Sequence, residues 1–110
     1  MENFDVRREG DRATVAPRGD VVATAVADLR QTMRDLVRGG VREMVVDLHS
    51  AEMMDSTGIG LLLAGYNSLG QAGGKFSVVG ASPEILELLR TMRVHQRFTV
   101  EGREPAAGKA

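Results

Sequence analysis

One short segment concentrates the residue types that could do chemistry: Met53-Met54-Asp55-Ser56-Thr57-Gly58-Ile59-Gly60. It holds an acid, two hydroxyls and closely spaced glycines where an apolar run gives way to a helical pattern. Asp, Ser and Thr at such a point satisfy the orphan amides of a helix start, and Gly permits close packing. Two methionines before it are out of place in a loop entering solvent; they either pack under the helix or face a partner, a task their adaptable side chains suit. A nucleophile elbow needs glycine two residues before Ser56, where Met54 stands. His49 and His95 are available as bases, but no third member of a triad is suggested. Gly73-Gly74-Lys75 fails as a phosphate loop, because Leu69 occupies the first glycine position and Phe76 the hydroxyl position. Gly58-Ile59-Gly60 fails as a dinucleotide fingerprint, because Leu63 replaces its third glycine. Asp47, Glu52 and Asp55 could reach Mg²⁺, although three acids over nine residues is common loop composition.

Charge narrows the chemistry. Residues 39–74 carry one basic residue, Arg42, against Glu43, Asp47, Glu52 and Asp55, a local charge of −3 that would repel an anionic substrate. Arg90, Arg93 and Arg97 read as one solvated helix face. Val45-Val46-Asp47-Leu48 with Met54-Asp55 resembles a receiver phosphoacceptor strand. However, the chain lacks the receiver's early acidic pair, its late lysine and its single opening strand.

The elements that must position Ser56 follow from periodicity and punctuation. Residues 4–8 and 12–17 read as strands around the turn Glu9-Gly10-Asp11. Thr24 is placed to cap a helix striped by Val26, Leu29, Met33, Leu36 and Val37, stopped at Gly39-Gly40. Met44–Leu48 is apolar enough for a strand covered on both faces. After a loop from His49 to Asp55, a second helix starts near Ser56 or Thr57, with Ile59, Leu62, Leu63, Tyr66 and Leu69 inward. Residues 76–79 form another strand. Ser82-Pro83-Glu84 is a helix start of hydroxyl, proline and acid, leading into Ile85, Leu86, Leu89 and Met92. Residues 97–100 suit a last strand, and 101–110 read as a disordered tail. The order predicts an α/β domain with a mixed, partly parallel sheet of four to five strands, hairpin first, packed by three to four helices.

The whole chain fits that size. Its 110 residues suit one domain over 1–100, and 14 basic against 15 acidic residues leave a net charge of −1. That balance gives no electrostatic reason to expect nucleic acid. No cysteine is present, which removes disulfides, thiolate metal sites and cysteine nucleophiles. Apolar runs are too short for a membrane span, and the start lacks the basic-then-apolar order of a signal peptide. A soluble cytoplasmic domain is expected. Thirteen glycines are nearly twice the usual ~7%, and they punctuate elements rather than form a linker.

With its context, Asp55-Ser56-Thr57-Gly58-Ile59-Gly60 resembles the signature of the STAS domain family, named for sulfate transporters and anti-sigma factor antagonists. The resemblance extends over residues 4–100 through Gly19-Asp20, Val45-Val46-Asp47-Leu48 and Lys75 to Gly80. It implies a stand-alone antagonist, not an enzyme, that binds an anti-sigma factor doubling as a serine kinase. Ser56 would accept phosphate from ATP, and a serine phosphatase would remove it. The implied partner surface comprises Asp20, Met53, Met54, Asp55, Ser56, Thr57, Gly58 and Ile59, with no metal, cofactor, nucleic acid or membrane. A non-phosphorylated STAS scaffold or transport-associated module is the alternative. The sequence departs from the family pattern at Val22, where a second acid is usual, and at Arg93, where glycine is frequent. A phosphate on Ser56 adds close to two negative charges beside Asp55, while a helix N-terminus tolerates phosphate, so partner loss without unfolding is expected.

Overall fold

The computed structural model describes residues 3–103. Strands β1 (Phe4–Glu9) and β2 (Arg12–Pro17) form the expected hairpin, with Glu9 opposite Arg12. Gly10 takes the positive φ, 63°, that so tight a turn demands. Helix α1 (Ala23–Arg38), strand β3 (Glu43–Asp47), helix α2 (Ser56–Gln71), strand β4 (Lys75–Ala81) and helix α3 (Pro83–Thr91) follow. A single 3₁₀ turn, Val94–Gln96, leads into β5 (Thr99–Gly102).

The sheet runs β1-β2-β3-β4-β5, antiparallel at the hairpin and parallel thereafter. Successive right-handed crossovers that all advance in one direction put their helices on one side of the sheet. Burial agrees. Ala13, Val15, Met44, Val46, Phe76 and Val78 join one core with Leu29, Met33, Leu62, Leu69, Ile85 and Leu89, whereas Val45, on the opposite side of β3, stands outside that cluster. As expected of a strand covered on both faces, Val45 is nonetheless buried, 7% exposed, although the helices lie on the other side. Phe98 closes the far end of the core, its ring 4.9 Å from that of Phe76 and 5.5 Å from that of Tyr66.

Other boundaries differ for physical reasons. Thr24 does not cap α1. The helix starts two residues earlier than that cap would place it, behind Val22, which offers no capping side chain. Met92 is 55% exposed at the C-cap of α3 and takes no part in its buried stripe. Arg93, beyond α3, has φ 60°, the conformation that favours glycine, so Arg90, Arg93 and Arg97 do not share a helical face. Strand β5 runs through Gly102, and Arg103 is tied into the fold, which corrects the tail assignment for 101–103. The remainder of that expected tail lies outside the described residues. Among the described residues no helix is long and apolar enough to cross a membrane.

Candidate functional site

The site forms where two connections meet, residues 18–22 between β2 and α1 and residues 48–55 between β3 and α2. Val21 pairs with Met54 as an isolated parallel bridge. Its N–H donates to Met53 O (3.1 Å), and its carbonyl accepts from Asp55 N (3.3 Å). Asp20 Oδ1 accepts from the amides of Glu52 (3.0 Å) and Met53 (3.1 Å), so one carboxylate oxygen braces two successive loop residues.

Asp55 caps two helices at once. Oδ1 accepts from Thr57 N (3.0 Å), Gly58 N (3.2 Å) and the Thr57 hydroxyl at the start of α2. Oδ2 accepts from Ala23 N (3.3 Å) at the start of α1. This explains how α1 begins without a capping side chain of its own: the acceptor comes from 32 residues downstream. The Thr57 hydroxyl bond, with those of Gly58, Ala23 and Thr57 amides, holds the Asp55 carboxyl below its ordinary pKa against partial desolvation.

The far side of the loop is anchored as firmly. Ser82, fully buried, donates from Oγ to Glu52 O (2.8 Å) and accepts from Ile85 N (3.1 Å), capping α3 in the process. Arg103 spreads its guanidinium across Gly80 O (3.2 Å), Leu48 O (3.1 Å), Ala51 O (2.7 Å) and the Glu52 carboxylate (3.0 Å). Sequence reasoning missed Arg103 because its surroundings are Gly, Pro, Ala and charge.

Gly58 makes the junction possible. A Cβ there would lie 2.5 Å from Met54 Cγ and 2.7 Å from Val21 O, so α2 touches the β2–α1 connection directly. The two methionines divide the roles considered for them. Met54 is buried under the helix start (7% exposed), while Met53 projects into solvent (61%). Ile59 and Gly58 are also buried, so Met54, Gly58 and Ile59 form the floor. Asp20, Met53, Ser56 and Thr57 form the exposed surface, with Asp55 half-buried between them.

Ser56 is the first residue of α2, and its hydroxyl has no hydrogen bond to another described residue. The amides that could greet an anion there, those of Thr57 and Gly58, are already engaged by Asp55. Neither histidine bonds to Ser56 among the described residues; His49 pairs instead with Asp47 and lies against Gly80. Asp47, Glu52 and Asp55 are drawn to His49, Arg103 and the helix starts respectively. Among the described residues no three acidic or imidazole side chains converge on a metal position. Among the described residues the arrangement presents a hydrogen-bonded acidic surface with the exposed Met53 side chain and the unengaged Ser56 hydroxyl.

The model of the family described as "Mlab, STAS domain" matches residues 4–101. Among solved structures, the chain is similar to a Thermotoga maritima protein described as a candidate anti-sigma factor antagonist. The two share 15% identity at a TM-score of 0.84, over 94% of this chain and 88% of that one. It is also similar to an anti-sigma factor antagonist from Mycobacterium paratuberculosis, at 23% identity and TM-score 0.79 over 89% and 83% of the two chains. A third is the Bacillus cell fate determinant SpoIIAA in its phosphorylated form, at 18% identity and TM-score 0.73 over 88% and 89%.

Proposed function

The chain belongs to the STAS domain family, and from that premise we propose that it is an anti-sigma factor antagonist switched by phosphorylation of Ser56. In its unmodified form it binds an anti-sigma factor that is also a serine kinase, and so frees the sigma factor. That kinase transfers the γ-phosphoryl group of ATP to the Ser56 hydroxyl, with ADP leaving and the hydroxyl proton lost. A serine phosphatase restores the hydroxyl by hydrolysis. The protein is the substrate and the switch, not the catalyst.

The observation that carries this reading is the division of labour at the start of α2. The long-range bonds that hold the site together run chiefly through Asp20, Val21, Asp55, Ser82 and Arg103, and among the described residues none runs through the exposed Ser56 hydroxyl. Modification there changes the surface without removing a support. A phosphate would stand in an already acidic neighbourhood of Asp20, Glu52 and Asp55, with the nearest amides taken. A partner that fits Met53 in a pocket and matches these acids with basic groups would then have to desolvate a dianion. A micromolar complex is worth only about 8 kcal/mol, so a penalty of a few kcal/mol releases it.

Capture of native partners with the wild type, Ser56→Ala and Ser56→Asp tests the proposal. Ser56→Ala should recover an anti-sigma kinase that Ser56→Asp does not, with all three chains unfolding at similar temperatures. Equal capture by all three, with no phosphorylated species after ATP is added, would refute it and leave a constitutive STAS scaffold.

A further inference from the structure

We propose that β1 pairs with β1 of a second copy of this chain, joining two sheets edge to edge about a two-fold axis through Val6. Strand β1 is an edge: it pairs with β2 on one side and with nothing on the other among the described residues. Arg18 N donates to Asn3 O, so Asn3 and Arg18 form a hydrogen-bonded pair of the antiparallel ladder. By alternation the pairs Asp5–Ala16, Arg7–Thr14 and Glu9–Arg12 are hydrogen-bonded too. The N–H and C=O groups of Phe4, Val6 and Arg8 therefore point outward, and Pro17, which has no N–H, sits opposite Phe4 as this requires. Edges of this kind are templates for another strand unless charge prevents it.

Charge here selects a partner rather than excluding one. Outward groups on both chains can meet only if Phe4, Val6 and Arg8 of one oppose members of the same set on the other. Pairing centred on Asp5 sets that acid against itself. Pairing centred on Arg7 sets two arginines together and Asp5 against Glu9. Pairing centred on Val6 places Asp5 opposite Arg7 on both sides of the axis and Val6 against Val6. Like charges directly opposite are unfavourable and opposite charges favourable, so of these three registers the one centred on Val6 is preferred, each Asp5 then lying between Arg18 of its own chain and Arg7 of the other. Val6 is 41% exposed, one of few large apolar side chains left to solvent. The Arg7 guanidinium has no hydrogen bond or ion pair with another described residue. Self-pairing is isologous and closes at two chains. The edge lies on a different element from Met53 and Ser56, so the inference stands independently of the switch.

Sedimentation of the full chain should show a reversible dimer that weakens in high salt. Asp5→Lys and Arg7→Asp should each be monomeric at concentrations where the wild type is dimeric, and their mixture should recover the dimer, because each then opposes charges of opposite sign. The chain has no cysteine, so Val6→Cys gives a clean distance test. Opposed Cα atoms of a hydrogen-bonded pair lie about 5.5 Å apart, within disulfide reach. Val6→Cys should cross-link under oxidation, and Arg7→Cys, which lies off the axis, should not. A wild type that stays monomeric at all concentrations, a dimer indifferent to the charge variants, or cross-linking through position 7 in preference to 6 would each overturn the proposal.

Discussion

Gly58 offers a test of how the site is held, because the same substitution elsewhere in α2 should have the opposite sign. Glycine inside a helix costs about 1 kcal/mol relative to alanine, so Gly→Ala on an open face is stabilising. Gly60 and Gly70 are such positions, with nothing within 4 Å of an added Cβ. At Gly58 the added carbon would lie 2.5 Å from Met54 Cγ and 2.7 Å from Val21 O. The methionine can swing aside. The carbonyl cannot, because it belongs to the backbone that pairs with Asp55 N and Met53 O. Overpacking of this kind costs about 1–3 kcal/mol. Taking the upper end for a backbone clash and deducting the helix gain leaves a loss of about 2 kcal/mol. For a domain of this size 1 kcal/mol moves the melting temperature by about 4 °C. Followed by helical circular dichroism, Gly58→Ala should therefore melt about 8 °C lower, while Gly60→Ala and Gly70→Ala melt up to about 4 °C higher. A Gly58→Ala chain as stable as Gly60→Ala would refute the claim that α2 is seated directly on the Val21 backbone.

Three further outcomes follow from the same geometry. Arg93 holds φ 60°, so Arg93→Gly should raise stability by up to about 1 kcal/mol in denaturant melts. Asp55 has a folded pKa below its ordinary value; its bonds therefore contribute fully above the unfolded carboxylate range, near ~4, and are lost as pH falls through the lower folded value. Melting temperature against pH should consequently fall less steeply on the acid side for Asp55→Asn, with the residual slope owed partly to Asp5, whose hydrogen bond and charge pairing with Arg18 lower it likewise. Arg103→Ala should speed amide exchange at Ala51, Glu52 and Met53 while leaving the paired residues of β3 and β4 protected, because it frees the carbonyls of Leu48, Ala51 and Gly80, none of which belongs to the β3–β4 ladder.

Much of this molecule is legible in its sequence, and apart from the local turn at Met92 and Arg93 what is not has one cause. Local signals were legible: the tight hairpin, the Ser82-Pro83-Glu84 start, the stop at Gly39-Gly40, and the cap at Asp55. Each depends on residues within a few positions of one another, and each appears where spacing put it. The misreadings involve groups supplied from far along the chain. Val22 is a poor cap by type, yet α1 starts behind it because Asp55 reaches across. Residues 101–103 look like tail, yet Arg103 fastens the loop that presents Met53. Val45 is buried as its apolar run implies, yet its neighbours in register are Thr14 and Ser77 on the helix-free side of the sheet. Only the sheet order exposes that asymmetry. Asp20 shows the middle case: its type and the family pattern mark it out, but its bonds to the Glu52 and Met53 amides belong to the folded state alone.

The central claim is that Ser56 is a phosphoacceptor whose modification releases a partner without unfolding the domain. Its most direct test is the intact mass of the wild type and Ser56→Ala after incubation with the captured partner and ATP, read alongside retention of the complex. The wild type should gain the mass of one phosphoryl group, located at Ser56, and leave the complex with its melting transition preserved. Ser56→Ala should gain nothing and stay bound. An unmodified wild type that remains bound in the presence of ATP, or phosphate found at another residue with Ser56→Ala released equally, would contradict it.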